Sequence, residues 1–234
     1  KGKANTMADI REGLAFLRSR PVVLTLMVSM ALLNFFSRIS YENILSPMIL
    51  SRSGSKNVLG LVSGVLGLGG IVGGIIAAKL PAPKNSARRI FGMALLSFLF
   101  GDLVMGAGRT PVFWVLAAVG GSLPIPILDA GAQYIFYTQV PQHLQGRVFS
   151  ARNALQYSTI PIGILLGGFL ADYVFEPFMA GSSAAARVLQ AVVGTGAGSG
   201  MAVMFLMTGT LGILSCLIGA WNLKRATLRQ EENP

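Results

Sequence analysis

Charge is the scarce ingredient of this chain. Asp, Glu, Lys and Arg together make up 12% of it, against roughly 25% in soluble globular domains. That deficit points away from a soluble fold. Acidic residues are the scarcer sign, nine against nineteen basic ones, for a net charge of +10. The basic excess does not indicate nucleic acid, because it gathers on no aromatic-interleaved or helix-turn-helix segment; it punctuates apolar runs instead. Cysteine occurs once, as Cys216 inside the last apolar run, which excludes an internal disulfide and a cysteine metal site and leaves a small packing residue. The single histidine, His143, reads as a solvated loop residue. No P-loop pattern is present, no serine or cysteine nucleophile has a base near it, and no His, Glu or Cys cluster falls inside the apolar runs. The expectation is a protein that is not an enzyme and uses no metal or cofactor.

What is abundant is apolar: 53% of residues are hydrophobic, with a mean hydropathy of +0.63. A bilayer core of about 30 Å takes about 20 apolar residues as a helix. Six runs fit: 21–40, 58–78, 90–107, 111–138 (interrupted by Pro124 and Pro126), 151–175 and 201–223. Helices are the expected form, since lipid leaves no backbone group unpaired and the short alternating segments of a membrane barrel are missing. The fold class expected is therefore an all-α membrane protein with six transmembrane helices, in contact with the lipid bilayer. The organisation expected is a remnant of a preceding loop with an amphipathic helix at 1–20, a first three-helix repeat at 21–110, a second at 111–223 with a long external loop at 176–200, and a tail at 224–234. The opening residues carry no signal-peptide pattern and read as the continuation of a longer chain. There Ile10, Leu14 and Leu17 fall at helical spacing beside Arg11, Arg18 and Arg20, a basic amphipathic segment suited to a membrane surface.

Alternating the crossings sets the basic residues in two groups. With the N-terminus cytoplasmic, the inner segments hold fourteen, among them Arg18, Arg20, Lys79, Arg88, Arg89, Arg147, Arg152, Arg225 and Arg229. The outer segments hold Arg38, Arg52, Lys56, Arg109 and Arg187. The positive-inside rule then predicts both termini in the cytoplasm.

Two of the helices are rich in glycine, the second of each group of three. Gly60/Gly64, Gly69/Gly73, Gly70/Gly74 and Gly163/Gly167 are small-xxx-small pairs that let helix backbones touch. Glycine-interrupted helices at matching positions of two halves are a feature of inverted-repeat transporters.

Polar residues inside the runs are the candidate functional ones. Asp102 lies about a dozen residues into the third helix, past the midplane at 1.5 Å per residue, where a charge costs about 2.5 to 3.5 kcal/mol on insertion scales. It is expected either to face a water-filled cavity, to be protonated, or to sit close enough to the outer interface to be hydrated. Asp129 follows Pro124 and Pro126, which remove two backbone donors and kink the helix. With Gln133 and Tyr137 it forms an i, i+4, i+8 polar stripe expected to face a cavity, and a carboxylate there is the first candidate for proton coupling, with Asp102 the second. Asn34, Arg38 and Tyr41 share a face of the first helix, and Arg38 with Glu42 makes an i, i+4 pair; Asn34 and Arg38 are cavity-lining candidates. Gln156 and Tyr157 open the fifth helix, where cavity lining and cytoplasmic gating are the two readings.

The segment VPQHLQGRVFSARNALQYSTIPIGILLGGFLADYVFEPFM, 140–179, resembles a recurring segment of the major facilitator superfamily, in the drug-efflux group that includes macrolide efflux proteins and the enterobactin exporter. Val140, Pro141, Gly146, Arg147, Val148, Phe149 and Ser150 match a VP-x-x-x-x-GRVFS-type cytoplasmic loop of that group. Gly167, Gly168, Asp172, Phe175, Glu176 and Pro177 match its glycine-rich eleventh helix and the D-x-x-FEP end. DIREGLAFLRSRP, 9–21, is similar to the end of its central loop. The resemblance implies the C-terminal half of a twelve-helix fold, itself a 3+3 inverted repeat, whose partner is a missing N-terminal six-helix half. It implies a secondary transporter in a bacterial inner membrane: a proton-coupled efflux antiporter with protons and a drug-like or natural-product small molecule as its cargo. The alternative is a non-transporting anchor or scaffold, since similar halves occur fused to nonribosomal peptide synthetases. The sequence departs from the family at 73–90, where Lys79, Lys84, Arg88 and Arg89 are present but the aspartate of the G-x-x-x-D-R-x-G-x-R-R motif is not.

Overall fold

The computed structural model describes residues 15–83 and 85–232, and every regular element among them is helical. Most of the N-terminal amphipathic segment and Lys84 lie outside the described residues; 15–19 are helical. Among the described residues, six helices are long and apolar enough to cross a membrane: the first at Pro21–Ser53, the second at Lys56–Lys79, the third at Ser86–Ala107, the fourth at Pro111–Gln139, the fifth at Gln142–Ala180 and the sixth at Ser199–Arg229.

Local chemistry sets their ends. Pro21 and Pro111 open the first and fourth helices, where a missing N–H costs nothing. Ser55 and Asn85 cap the second and third by accepting from Val58 N (3.4 Å) and Arg88 N (2.9 Å). The first helix breaks at residues 42–44 and resumes as Leu45–Ser53, closed by Gly54 in the left-handed region at φ 63°. The fourth breaks at Leu123, just before Pro124. Residues 98–103 of the third helix and 171–175 of the fifth are π-helical.

The packing repeats itself. The first helix packs on the fifth and sixth, the fourth on the second and third, and the third on the sixth. Exchanging the two triplets, first for fourth, second for fifth and third for sixth, maps these neighbours onto themselves. Three crossings per triplet turn the second triplet over relative to the first. The six helices are thus arranged as a 3+3 inverted repeat, as expected of one half of the twelve-helix fold that the sequence resembles. Two apolar cores fill it, one around Leu26, Phe91 and Phe136, the other around Ile49, Trp114 and Phe205.

The glycines mark the crossings. A Cβ on Gly73 would lie 3.1 Å from Pro126 Cδ, at the break of the fourth helix, and one on Gly167 would lie 2.9 Å from Ile39 O of the first. Gly69 and Gly163 make the neighbouring contacts, on Ser122 and Arg38. Gly60, Gly64, Gly70 and Gly74, also expected to pack, meet nothing within 4 Å in this chain. They lie on the other side of the second helix, because adjacent residues are about 100° apart around the axis.

One correction concerns Pro141, Gly146 and Arg147. The segment expected as a loop is helical from Gln142 onward, with Pro141 at the cap position. Leu144 and Val148, one turn apart, bury against the core, and that anchorage extends the helix. The segment 176–200, expected as a long loop, is also ordered. It contains a short helix, Ala184–Val193, whose last carbonyls accept from two arginines of other elements: Arg52 reaches Val193 O, while Arg109 reaches Gln190 O, Ala191 O and Val192 O. Glu176 caps the sixth helix by accepting from Gly198 N (3.2 Å) and Met201 N (2.9 Å).

Candidate functional site

A cavity of about 420 Å³ opens among the first four helices, and both candidate aspartates line it. The first helix contributes Asn34, Arg38 and Tyr41, the second Leu66 and Gly70, the third Ser97 and Asp102, and the fourth Ser122, Pro126 and Asp129. The proline break of the fourth helix forms part of the wall. Ser97 Oγ donates to Gly121 O at 2.6 Å, tying the third helix to the fourth just before that break. There the backbones nearly touch: a Cβ on Gly101 would stand 2.6 Å from Gly121 Cα and 3.0 Å from the Tyr41 hydroxyl.

Asp102 is 2% exposed and sits in the π-helical turn of the third helix. Its Oδ1 accepts from the Thr208 hydroxyl of the sixth helix at 3.4 Å. Thr208 in turn lies 2.6 Å from the Ser40 hydroxyl of the first helix and 3.0 Å from Met204 O. Thr208 has one hydrogen and three acceptors competing for it, Asp102, Met204 O and Phe205 O, so Ser40 is the donor in the short Ser40–Thr208 contact whenever Thr208 serves Asp102. Among the described residues, this carboxyl makes no ion pair. The Tyr41 hydroxyl beside it is buried without a hydrogen-bond partner, and its ring meets Phe205 edge to face at 5.4 Å. Asp102 is therefore buried within this chain although it borders the cavity. It is the centre of a polar knot joining the first, third and sixth helices.

Asp129 has a different setting. It is exposed on the open side of the cavity, and Arg152 of the fifth helix is within electrostatic reach. Arg152 is buried, with its guanidinium 4.7 Å from the centre of the Phe136 ring.

The remaining candidates divide. Asn34 and Arg38 line the cavity, with Arg38 Nε donating to Asn34 Oδ1 at 3.3 Å and the same guanidinium paired to Glu42. Gln133, Tyr137, Gln156 and Tyr157 do not line it. Gln133 and Gln156 are half-buried, whereas Tyr137 and Tyr157 are exposed, Tyr137 packing on Phe149 at 5.2 Å. Sequence reading missed Thr208 and Ser40, since single hydroxyls in apolar helices bond ordinarily to their own backbone and nothing in the spacing brings positions 40, 102 and 208 together.

Comparison with known proteins agrees with this architecture. The multidrug efflux pump Tap of Mycolicibacterium fortuitum is 28% identical over 167 residues, 71% of this chain and 40% of that protein. Tap of Mycobacterium tuberculosis is 29% identical over 171 residues, 71% of this chain and 39% of that protein. The chain is a relative of major facilitator superfamily drug-efflux transporters. An uncharacterised transporter of the same superfamily, YfiS of Bacillus subtilis, is 26% identical over 189 residues, 74% of this chain and 42% of that protein. The chain thus spans about 40% of the length of the curated superfamily members it matches. No family model matches the chain, and no solved structure matches it.

Proposed function

We propose that this chain is the C-terminal half of a proton-coupled exporter of drug-like or natural-product small molecules, working in a bacterial inner membrane with both termini in the cytoplasm. The observation that carries the reading is the cavity: two carboxyl side chains share it inside a six-helix half whose relatives include multidrug efflux pumps. A group that takes up and gives back a proton as the site changes exposure is what coupling requires, and Asp129 and Asp102 are the groups available. Asp129 meets the open side, where substrate and water arrive. Asp102 sits where a proton gained or lost changes the packing of three helices.

The second and fifth helices support the need for a partner. Only 17% of each apolar window is buried within the chain, against 44% for the other four. Gly60, Gly64, Gly70 and Gly74 lie unpacked on the second helix, a surface suited to close helix contact. We assign these faces to the missing N-terminal six-helix half, against which residues 21–110 and 111–223 rock as paired repeats around a midplane site.

The test is pH-driven efflux from vesicles bearing the whole protein, wild type against Asp129→Asn and Asp102→Asn. Loss of pH-driven efflux in either variant, with substrate binding retained, is the expected result. Unchanged efflux in both would move coupling outside this chain, and absence of any efflux by the wild type would leave the anchor reading.

A further inference from the structure

A second cavity, of about 370 Å³, opens where the start of the first helix meets the end of the sixth. It shares no lining residue with the central cavity. Arg225 and Arg229 stand one turn apart on the sixth helix and line it together with Asn222, Thr25 and Ser29. Among the described residues no acidic side chain lines it. The first helix begins there at Pro21 without a side-chain cap, so its positive dipole end adds to the two guanidiniums. Arg225 lies 3.5 Å from the centre of the Trp221 ring. Stacking fixes the plane of the guanidinium and leaves its N–H edge free for a planar or bidentate anion.

The apolar side of the cleft distinguishes its ligand from a soluble anion. Trp221 is 53% exposed and Val28, deeper along the first helix, is 52% exposed. Tryptophan favours the level of the headgroups, and an exposed valine one turn below Leu24 continues the wall toward hydrocarbon. Arginines, hydroxyls and an amide above an apolar rail match an amphiphile whose head is anionic. We propose that this cleft binds the headgroup of an anionic phospholipid, its phosphodiester held by Arg225 and Arg229 and its polar alcohol by Asn222, Thr25 and Ser29, with an acyl chain running along Val28. The site belongs to the bilayer leaflet on the side of the chain termini and is independent of which small molecule is transported.

The experiment is lipid titration of the detergent-purified whole protein, with native mass spectrometry counting bound lipid. Dioleoyl phosphatidylglycerol is the probe and dioleoyl phosphatidylcholine the control. Wild type is expected to retain phosphatidylglycerol in preference to phosphatidylcholine. Arg225→Gln and Arg229→Gln should each weaken phosphatidylglycerol about five-fold, and both together about thirty-fold. Arg88→Gln, an exposed arginine at the start of the third helix on the same side, should change nothing. Equal retention of the two lipids, full binding by the double variant, or an equal loss with Arg88→Gln would each overturn the proposal. So would displacement by millimolar inorganic phosphate, which would make the cleft a site for soluble anions.

Discussion

Two aspartates look alike in the sequence and live differently in the fold. Asp102 and Asp129 each interrupt an apolar run, and both line one cavity. Asp102 is buried and touched by a hydroxyl from another helix, and among the described residues it makes no ion pair. Asp129 faces the open side with Arg152 in reach. The difference is one of neighbours: the first carboxyl is held by packing, the second by exposure and a distant charge. A buried group with no counter-ion is tolerable only where hydrogen bonds or neutralisation replace water. Asp129 has the Arg152 charge in reach instead, so substitutions around the two should behave differently.

The largest contrast is steric. Gly101→Val puts a branched side chain where even a Cβ would stand 2.6 Å from the Gly121 backbone, and should cost about 3 kcal/mol. Ala130→Val, on the exposed position beside Asp129, should change stability by less than about 0.5 kcal/mol. Thermal unfolding of both in the same detergent checks the pair, and equal losses would mean that the two sides are packed alike. A smaller contrast is polar. Thr208→Val keeps the shape but removes the hydroxyl that Asp102 and Ser40 share, a loss of about 1 to 3 kcal/mol. Arg152→Met gives up the ring contact with Phe136 but also removes a buried charge whose Nε has no partner; the two effects oppose, and the net change should stay under about 1 kcal/mol. Denaturation midpoints would decide the order, and a larger loss for Arg152→Met would reverse the comparison. The smallest effect is expected of Tyr157→Phe, at an exposed ring outside the cavity: within about 0.5 kcal/mol in stability, read on the same instrument.

The six crossings were legible because hydrocarbon thickness demands a length that few other structures need, and Pro21, Pro111 and Gly54 mark ends by their own stereochemistry. The two carboxylates were legible because charge in such runs is costly. Their surroundings were not. Ser40 and Thr208 lie 168 residues apart, and no local pattern announces that they meet. Choosing between Gly69/Gly73 and Gly70/Gly74 as the packing pair requires knowing how the second helix is rotated, and a stretch as apolar on all sides as this one carries no stripe to fix that rotation. The fifth helix starts earlier than its apolar run because Leu144 and Val148 have core to bury against, which only the assembled neighbours provide.

The short helix Ala184–Val193 works as a staple. Its carbonyl end is gripped by Arg52 from the tip of the first helix and by Arg109 from the turn after the third. Spreading those two tips would release the carbonyls of residues 190–193 together. On that side the tips of the first and third helices are thus tied through one segment to the stretch between the fifth and sixth.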